Sequence, residues 1–311
     1  MRQLGFEGMP RRLYTCTPTR LTTWLDCPRR YRMTYLDRPP PGKGPPWAHN
    51  SLGASVHNAL AGWWRLPRAE RTVPAAGQLL ESGWIEEGFA GPGQSARYRR
   101  WALGLVEAYV AGLDPASEPV GVERTVATRT EVIAVSGRID RLDLRRTVGG
   151  PGGAAGDGSL VVVDYKTGRH APTVDDARAS LPLALYAIAA ERTMRRPCRR
   201  VELHHLPTAR VVAWDHTADS LVRQLRRAED IAAECAGADE LFRGGPLAGD
   251  GAPAPSLLDD AFRPRPSAWC GWCDYRAACP EGTAASERRR PWEGLDTIDA
   301  ADPAEGSGPV G

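Results

Sequence analysis

The sequence predicts an α/β fold, with a mixed central sheet flanked by helices and helical additions at both ends. Three observations lead there. Helical periodicity fills the chain to about residue 112, strand-like segments follow from Glu118, and helical periodicity returns from Thr217. The apolar run Leu160-Val161-Val162-Val163 reads as a strand buried on both faces. A helical stretch from Asp175 to Arg192 separates that run from the next strand, and a strand–helix–strand crossover pairs its strands in parallel.

The elements follow in order. Thr17-Pro18 opens a capped helical segment through Leu36, interrupted at Cys27-Pro28. Five prolines between Arg38 and Pro46 mark a linker. Helices are expected over 51–66, 75–87 and 94–112. Strands are expected over 120–129, 131–135 and 138–144, where apolar residues alternate with polar ones. Val148 to Ser159 is Gly-rich and reads as a linker. It lacks the Lys-Ser/Thr ending of a phosphate-binding loop, so no ATP-driven motor is expected. Strands over 201–206 and 211–214 form a hairpin, and 217–242 is a long amphipathic helix. One domain is expected over 1–285, with a helical insert at about 50–115 and a cysteine cluster at 270–279. Residues 286–311 are expected to form a disordered acidic tail.

Composition narrows the classes. No apolar run reaches the roughly 20 residues of a membrane helix, and residues 1–7 lack a signal peptide's apolar stretch. No membrane role and a cytoplasmic location are expected. Seven cysteines in a reducing compartment argue against a disulfide framework, while the bunching of Cys270, Cys273 and Cys279 suggests ligation. The net charge of +2 hides five acids and no base from Pro291 to Gly311, so the rest of the chain is basic enough to permit a polyanionic partner. Of the 40 basic residues only Lys43 and Lys166 are lysine; every other is arginine. A lysine retained against that bias marks a place where the guanidinium would not serve.

Lys166 lies in Val163-Asp164-Tyr165-Lys166-Thr167-Gly168. On a strand, Asp164 and Lys166 share a face, roughly 7 Å apart at their α-carbons. Two readings fit: a salt bridge closing a strand end, or half of a catalytic site. Gly137-Arg138-Ile139-Asp140-Arg141-Leu142-Asp143 lies one strand earlier, and an antiparallel pairing brings Asp140 beside Asp164. Two adjacent carboxylates repel, and a hard divalent cation between them, Mg²⁺ or Mn²⁺, relieves the repulsion. Asp143 differs from Asp140 in strand parity and is expected to face away.

These motifs, in this order, resemble the PD-(D/E)XK nucleases, and within them the RecB-like exonucleases, over about Thr19 to Cys279. Cys27-Pro-Arg29-Arg30-Tyr31 is similar to the family's N-terminal cluster ligand and its flank, and Gly53-Ala-Ser-Val-His57 to its helix-borne metal histidine. Gly137 to Asp143 and Asp164 to Gly168 are similar to the two acid motifs. The cysteine trio is similar to an iron–sulfur-containing subset that includes AddB-type and CRISPR-associated RecB-like nucleases. The resemblance implies a restriction-endonuclease-like core and a metal-dependent DNA exonuclease of repair or recombination. It implies a metal held by His57, Asp140, Asp164 and the Tyr165 carbonyl, with Lys166 catalytic and a 5′-phosphate on the product. It further implies a 4Fe–4S cluster, with zinc as the alternative, on Cys27, Cys270, Cys273 and Cys279. DNA, as single strands or ends, is the implied partner, gripped in part by Arg29, Arg30 and Tyr186; a separate helicase is a further possible partner. Alternatives are a CRISPR-adaptation nuclease that trims DNA ends, and a non-catalytic DNA-binding scaffold on the same fold. The chain departs from the family at one point: the glutamine four residues before the helix tyrosine, Tyr186, is here Pro182.

Overall fold

The computed structural model describes residues 13–145, 158–244 and 255–295. The expected linker between strands and most of the acidic tail therefore lie outside the described residues, as do residues 1–12. Among the described residues a six-stranded mixed sheet is flanked by helices, as the sequence predicts for the fold class.

Helices α1 (Pro18–Asp26) and α2 (Pro28–Tyr35) follow the short strand β1 (Tyr14–Cys16). Pro18 and Pro28 each sit in a first helical turn, where the missing N–H is not needed, and the Thr17 hydroxyl caps α1. The chain then forms α3 (Ala48–Arg65), α4 (Val73–Ser82) and α5 (Pro92–Ala111). The antiparallel pair β2 (Gly121–Arg129) and β3 (Ile133–Arg145) comes next, then β4 (Ser159–Lys166). A crossover through α6 (Val174–Ala179) and α7 (Leu181–Met194) sets β5 (Cys198–His205) parallel to β4. Strand β6 (Arg210–Asp215) pairs with β5 in antiparallel fashion, and α8 (Ala218–Phe242), α9 (Pro255–Ala261) and α10 (Pro280–Ala285) complete the chain.

The sheet divides two apolar layers. Leu160 and Val162 of β4 pack with α1, α7 and α8 on one face, while Val161, Val163 and Tyr165 pack with α3, α4 and α5 on the other. Both faces of β4 are thus dry, which accounts for its unbroken apolar run.

Three details differ from expectation. The strands expected over 131–135 and 138–144 are one strand, β3. Gly137 does not end a strand; a Cβ there would collide with the Tyr186 ring of α7, so glycine permits a close approach. The helix expected over 175–192 is broken at Ser180, which caps a new helix through a bond from Leu183 N–H, with Pro182 in its first turn. Pro182 thus starts α7. Finally, the first ten residues of the expected tail pack onto the body. Leu295 is buried among α3 and α5, the Tyr98 hydroxyl donates to its carbonyl at 2.5 Å, and Ala48 N–H bonds to the Pro291 carbonyl.

Candidate active site

Strand β3 carries β2 along one edge, while β1 and then β4 share the other. At Val135 the partners are Cys16 and Thr128; at Leu142 they are Gly121 and Val162. From Ser136 to Asp140 the edge shared by β1 and β4 has no strand partner among the described residues, and the ladder with β4 begins only at Arg141 opposite Val163. One step further the register sets Asp140 opposite Asp164, where the strands have parted. The backbone N–H of Tyr165, freed from the ladder, instead donates to Asp140 Oδ2 at 2.9 Å. The opening in the sheet leaves both carboxylates partly accessible without leaving that N–H unsatisfied.

Helix α3 supplies His57 from the other side. Its Nδ1 lies 3.4 Å from Asp140 Oδ2, and its ring stands edge-on to the Tyr165 ring at 5.7 Å. Lys166 places its Nζ 2.7 Å from Asp164 Oδ2, with about half of the lysine side chain exposed. Asp143, of opposite parity, is held by Arg141 at 3.0 Å on the sheet's far face.

Sequence reasoning missed one member. Glu123, opposite Asp140 in the β2/β3 register, joins His57 and Asp140 in a group whose ligand atoms all lie within 4.8 Å of one another. Its backbone is left-handed, with φ 49°, a conformation that glutamate rarely adopts and that is costly to hold in a strand. Arg138 pairs with its carboxylate at 2.7 Å. The missed signal was the register itself: a hairpin turning near Glu131 aligns residue 123 with residue 140.

The electrostatics are those of a negatively charged site. Burial, and then the Asp140 carboxylate, push Asp164 above the usual carboxylate range, with Lys166 opposing. Burial, again with Asp140, raises Glu123 against Arg138 and His57. Burial disfavours a charged His57, yet its bond to Asp140 and the nearby Asp164 and Glu123 carboxylates outweigh that and raise its pKa. Burial raises Tyr186 too, helped by Asp164 and Asp140, so its ring lies near the same acids. Desolvation is the largest cause at Asp164, Glu123 and Tyr186, whereas at His57 the neighbouring carboxylates outweigh it.

A divalent cation suits this donor set. Carboxylate oxygens with one imidazole can ligate such an ion. Asp164 Oδ2 is buried and accepts no hydrogen bond in good geometry, although the ammonium of Lys166 is close. Distance alone makes that contact an ion pair. Its direction is poor, so a lone pair remains open for a cation.

The loop behind Lys166 is held by His205. His205 Nε2 bonds to the Gly168 carbonyl at 2.6 Å and its Nδ1 to Thr208 Oγ1 at 2.7 Å. His204 lies between Tyr109 and Glu202 on the far face. Neither histidine joins the acids.

The four candidate cysteine ligands come together from both ends of the chain. Cys27 at the α1/α2 junction and Cys270, Cys273 and Cys279 near α10 line one cavity with Arg29 and Arg30. Cys279 Sγ accepts from Gly282 N–H at 3.3 Å, and Cys270 Sγ from Ser267 N–H at 3.4 Å, while burial holds the Cys273 and Cys279 thiols above their ordinary range. Four sulfurs on one zinc ion stand about 3.8 Å apart, given the 2.3 Å bonds of a tetrahedral site. Among the described residues, no trio of these sulfurs is drawn within 4.8 Å. Arg29 is bound to the Phe262 carbonyl and to Asp259, and Arg30 to Asp26 at 3.7 Å. Cys16, Cys198 and Cys235 are buried elsewhere.

A family model described as the PD-(D/E)XK nuclease superfamily matches residues 15–280. No curated protein matches the chain.

Proposed function

Because the chain belongs to the PD-(D/E)XK nuclease superfamily, we propose that it is a metal-dependent DNA exonuclease of repair or recombination, formed as one nuclease domain over residues 1–285. What supports this reading is the opening between β3 and β4, where Asp140 gathers with His57 and Glu123 and Asp164 pairs with Lys166. His57, Asp140, Asp164 and the Tyr165 carbonyl hold Mg²⁺ or Mn²⁺, with Glu123 as an added carboxylate ligand. When bound, the metal activates a water and polarises the scissile phosphate. Lys166 orients that water or stabilises the charge developing on the phosphate. His205 and the Gly168 carbonyl hold the loop that follows the lysine, and Arg138 keeps Glu123 in place.

Cys27, Cys270, Cys273 and Cys279 hold a 4Fe–4S cluster that joins the chain's two ends. The Arg29 and Arg30 flank and Tyr186 contact DNA, and a separate helicase is a candidate partner. No helix among the described residues is long and apolar enough to cross a membrane; a cytoplasmic location is part of this proposal. Pro182 favours a non-catalytic reading in one respect, since it removes a polar side chain near the site. Its place in the first turn of α7 gives it a structural reason instead, and the acids and lysine are all present.

End-labelled single-stranded and duplex DNA, incubated with Mg²⁺ or Mn²⁺ and without ATP, tests the activity. Stepwise shortening from one end, stopped by chelation, is expected. Discrete internal cuts would replace exonuclease by endonuclease, and intact DNA under all conditions would remove the proposal.

Lys166→Arg is the sharper test of mechanism. A compact ammonium suits one water or one phosphate oxygen, whereas a guanidinium spreads its charge over a fork. The variant is expected to melt like the native protein and lose about a hundredfold in turnover, the scale of a removed electrostatic stabiliser. Near-native turnover would withdraw the catalytic role of this lysine.

A further inference from the structure

Arg141 is the last residue of β3 to pair with β4 before the two strands part, and its guanidinium reaches past the fork. Its Nη1 donates to the Tyr165 hydroxyl at 3.2 Å, two residues beyond Val163, the ladder partner of Arg141. Tyr165 stands between Asp164 and Lys166, and its N–H holds Asp140. Past the fork, β4 keeps β5 as its strand partner, with Asp164 opposite Leu203 and Lys166 opposite His205. On the side of β3 the ladder has ended. There the Tyr165 N–H and hydroxyl tie this end of β4 to β3.

The same guanidinium reaches the helix that carries His57. It lies over the Trp64 ring at 5.2 Å, and Trp64 Nε1 donates to the Tyr165 hydroxyl at 3.3 Å. Trp64 follows His57 by seven residues, about two turns, so both lie on one face of α3. The Tyr165 ring is in turn edge-on to the His57 ring at 5.7 Å. One cation on β3 thus touches β4 and α3. Those three elements carry Asp140, Asp164, Lys166 and His57.

Stability does not account for a cation at this place. The Arg141 side chain is only 4% exposed and lies against the apolar layer of Trp64, Tyr109 and Tyr165. Asp143 pairs with it at 3.1 Å, yet replacing a buried ion pair with apolar residues of similar volume is often neutral or stabilising. What the guanidinium adds is direction. Its planar fork is held by two tyrosine hydroxyls, a carboxylate and a ring face at once. We propose that Arg141 is a positioning residue: through the Tyr165 hydroxyl, which Trp64 shares, it fixes the opening between Asp140 and Asp164 and the place of His57 beside it. This rests on the nuclease reading and deepens it. Being buried, Arg141 acts only through these neighbours.

Two variants test the role. Tyr165→Phe removes one hydroxyl and keeps the ring and the backbone; Arg141→Met removes the fork and keeps an unbranched chain. Titration with Mn²⁺, followed by electron spin resonance, should show affinity weakened about ten- to a hundredfold in both, the range for groups that orient metal ligands. At saturating Mn²⁺, kcat should still fall while KM for DNA is unchanged. Tyr165→Phe should melt like the native protein. Arg71→Met is the control. Arg71 is also buried and also lies over the Trp64 ring, at 5.5 Å, but it bonds to the Leu66, Pro115 and Ser117 carbonyls rather than to β4. Its loss should lower the melting temperature and leave Mn²⁺ affinity unchanged.

If Arg141→Met fails to fold, Tyr165→Phe alone decides. Native Mn²⁺ affinity and native kcat in Tyr165→Phe overturn the proposal. An equal loss of affinity in Arg71→Met also overturns it, because general loosening would then explain both. If native protein cuts DNA while Tyr165→Phe matches it, the nuclease reading stands and the positioning role falls. If native protein binds Mn²⁺ and cuts nothing, yet Tyr165→Phe loses Mn²⁺ affinity, the positioning role stands and the nuclease reading falls.

Discussion

Asp164→Ala should fold, bind DNA and fail to cut it. The carboxylate lies where β4 leaves its ladder with β3, opposite Asp140, and its Oδ2 is buried without a well-directed hydrogen bond. Removing it takes away a proposed metal ligand and the 2.7 Å partner of Lys166. The metal's contribution to phosphoryl chemistry is several kcal/mol, so cleavage should fall by at least about a thousandfold. Affinity for DNA should hold or rise, because the variant removes a negative charge that repels phosphate. Asp140→Ala should behave in the same way, with a further cost to the Tyr165 N–H, which loses its acceptor. Gel-based cleavage and fluorescence anisotropy on the same preparations check both halves. Cleavage surviving in both variants would show that the site has been misassigned.

The second large effect is expected at the cysteines. Protein purified without oxygen should be yellow-brown and contain about four iron atoms per chain. Cys273→Ser should lose the colour and aggregate, because the proposed cluster would join Cys27 to residues more than 240 positions away. Closing a loop of that length is worth about 5 kcal/mol in the chain-entropy account. The joined parts also bear on the active site. Trp47 Nε1 donates to Asp274 Oδ1 at 2.8 Å, and Gly44 N–H bonds to the Asp274 carbonyl, so the cysteine loop docks at the start of the helix that carries His57. Loss of the cluster should therefore lower metal affinity at the active site as well as stability. Colourless native protein with one zinc per chain would overturn the iron–sulfur assignment and leave the nuclease reading untouched.

The alternation on β4 was readable from the sequence because it obeys strand geometry without exception. Leu160 to Val163 are buried on both faces, and Asp164 and Lys166 project together. Asp140 was readable only through the register, which aligns it with Asp164 one step past Arg141 and Val163; alternation alone fails there, because Ile139 and Leu142 pack in the same layer. Glu123 was not. Val126 packs in the layer of α7 and α8, yet Val122 packs in the layer of α3 to α5, although both are even-numbered. The left-handed residue between them lets the alternation slip, and period-two reasoning cannot see that. Gly137 misled for a related reason: its missing side chain serves the Tyr186 ring across a layer, not a local turn. The acidic composition after residue 286 concealed an anchor, because the burial of Leu295 depends on Tyr98 nearly 200 positions earlier. In each case the deciding contact is distant in sequence.

The central claim is that a divalent cation held by the acids and His57 at this opening carries phosphodiester hydrolysis. Titration of metal-free protein with Mn²⁺, followed by electron spin resonance with DNA cleavage run on the same samples, tests it most directly. The account predicts that cleavage rises in step with bound Mn²⁺, and that Asp140→Asn loses both together. Cleavage by chelated protein, or full cleavage by Asp140→Asn without bound Mn²⁺, would contradict it.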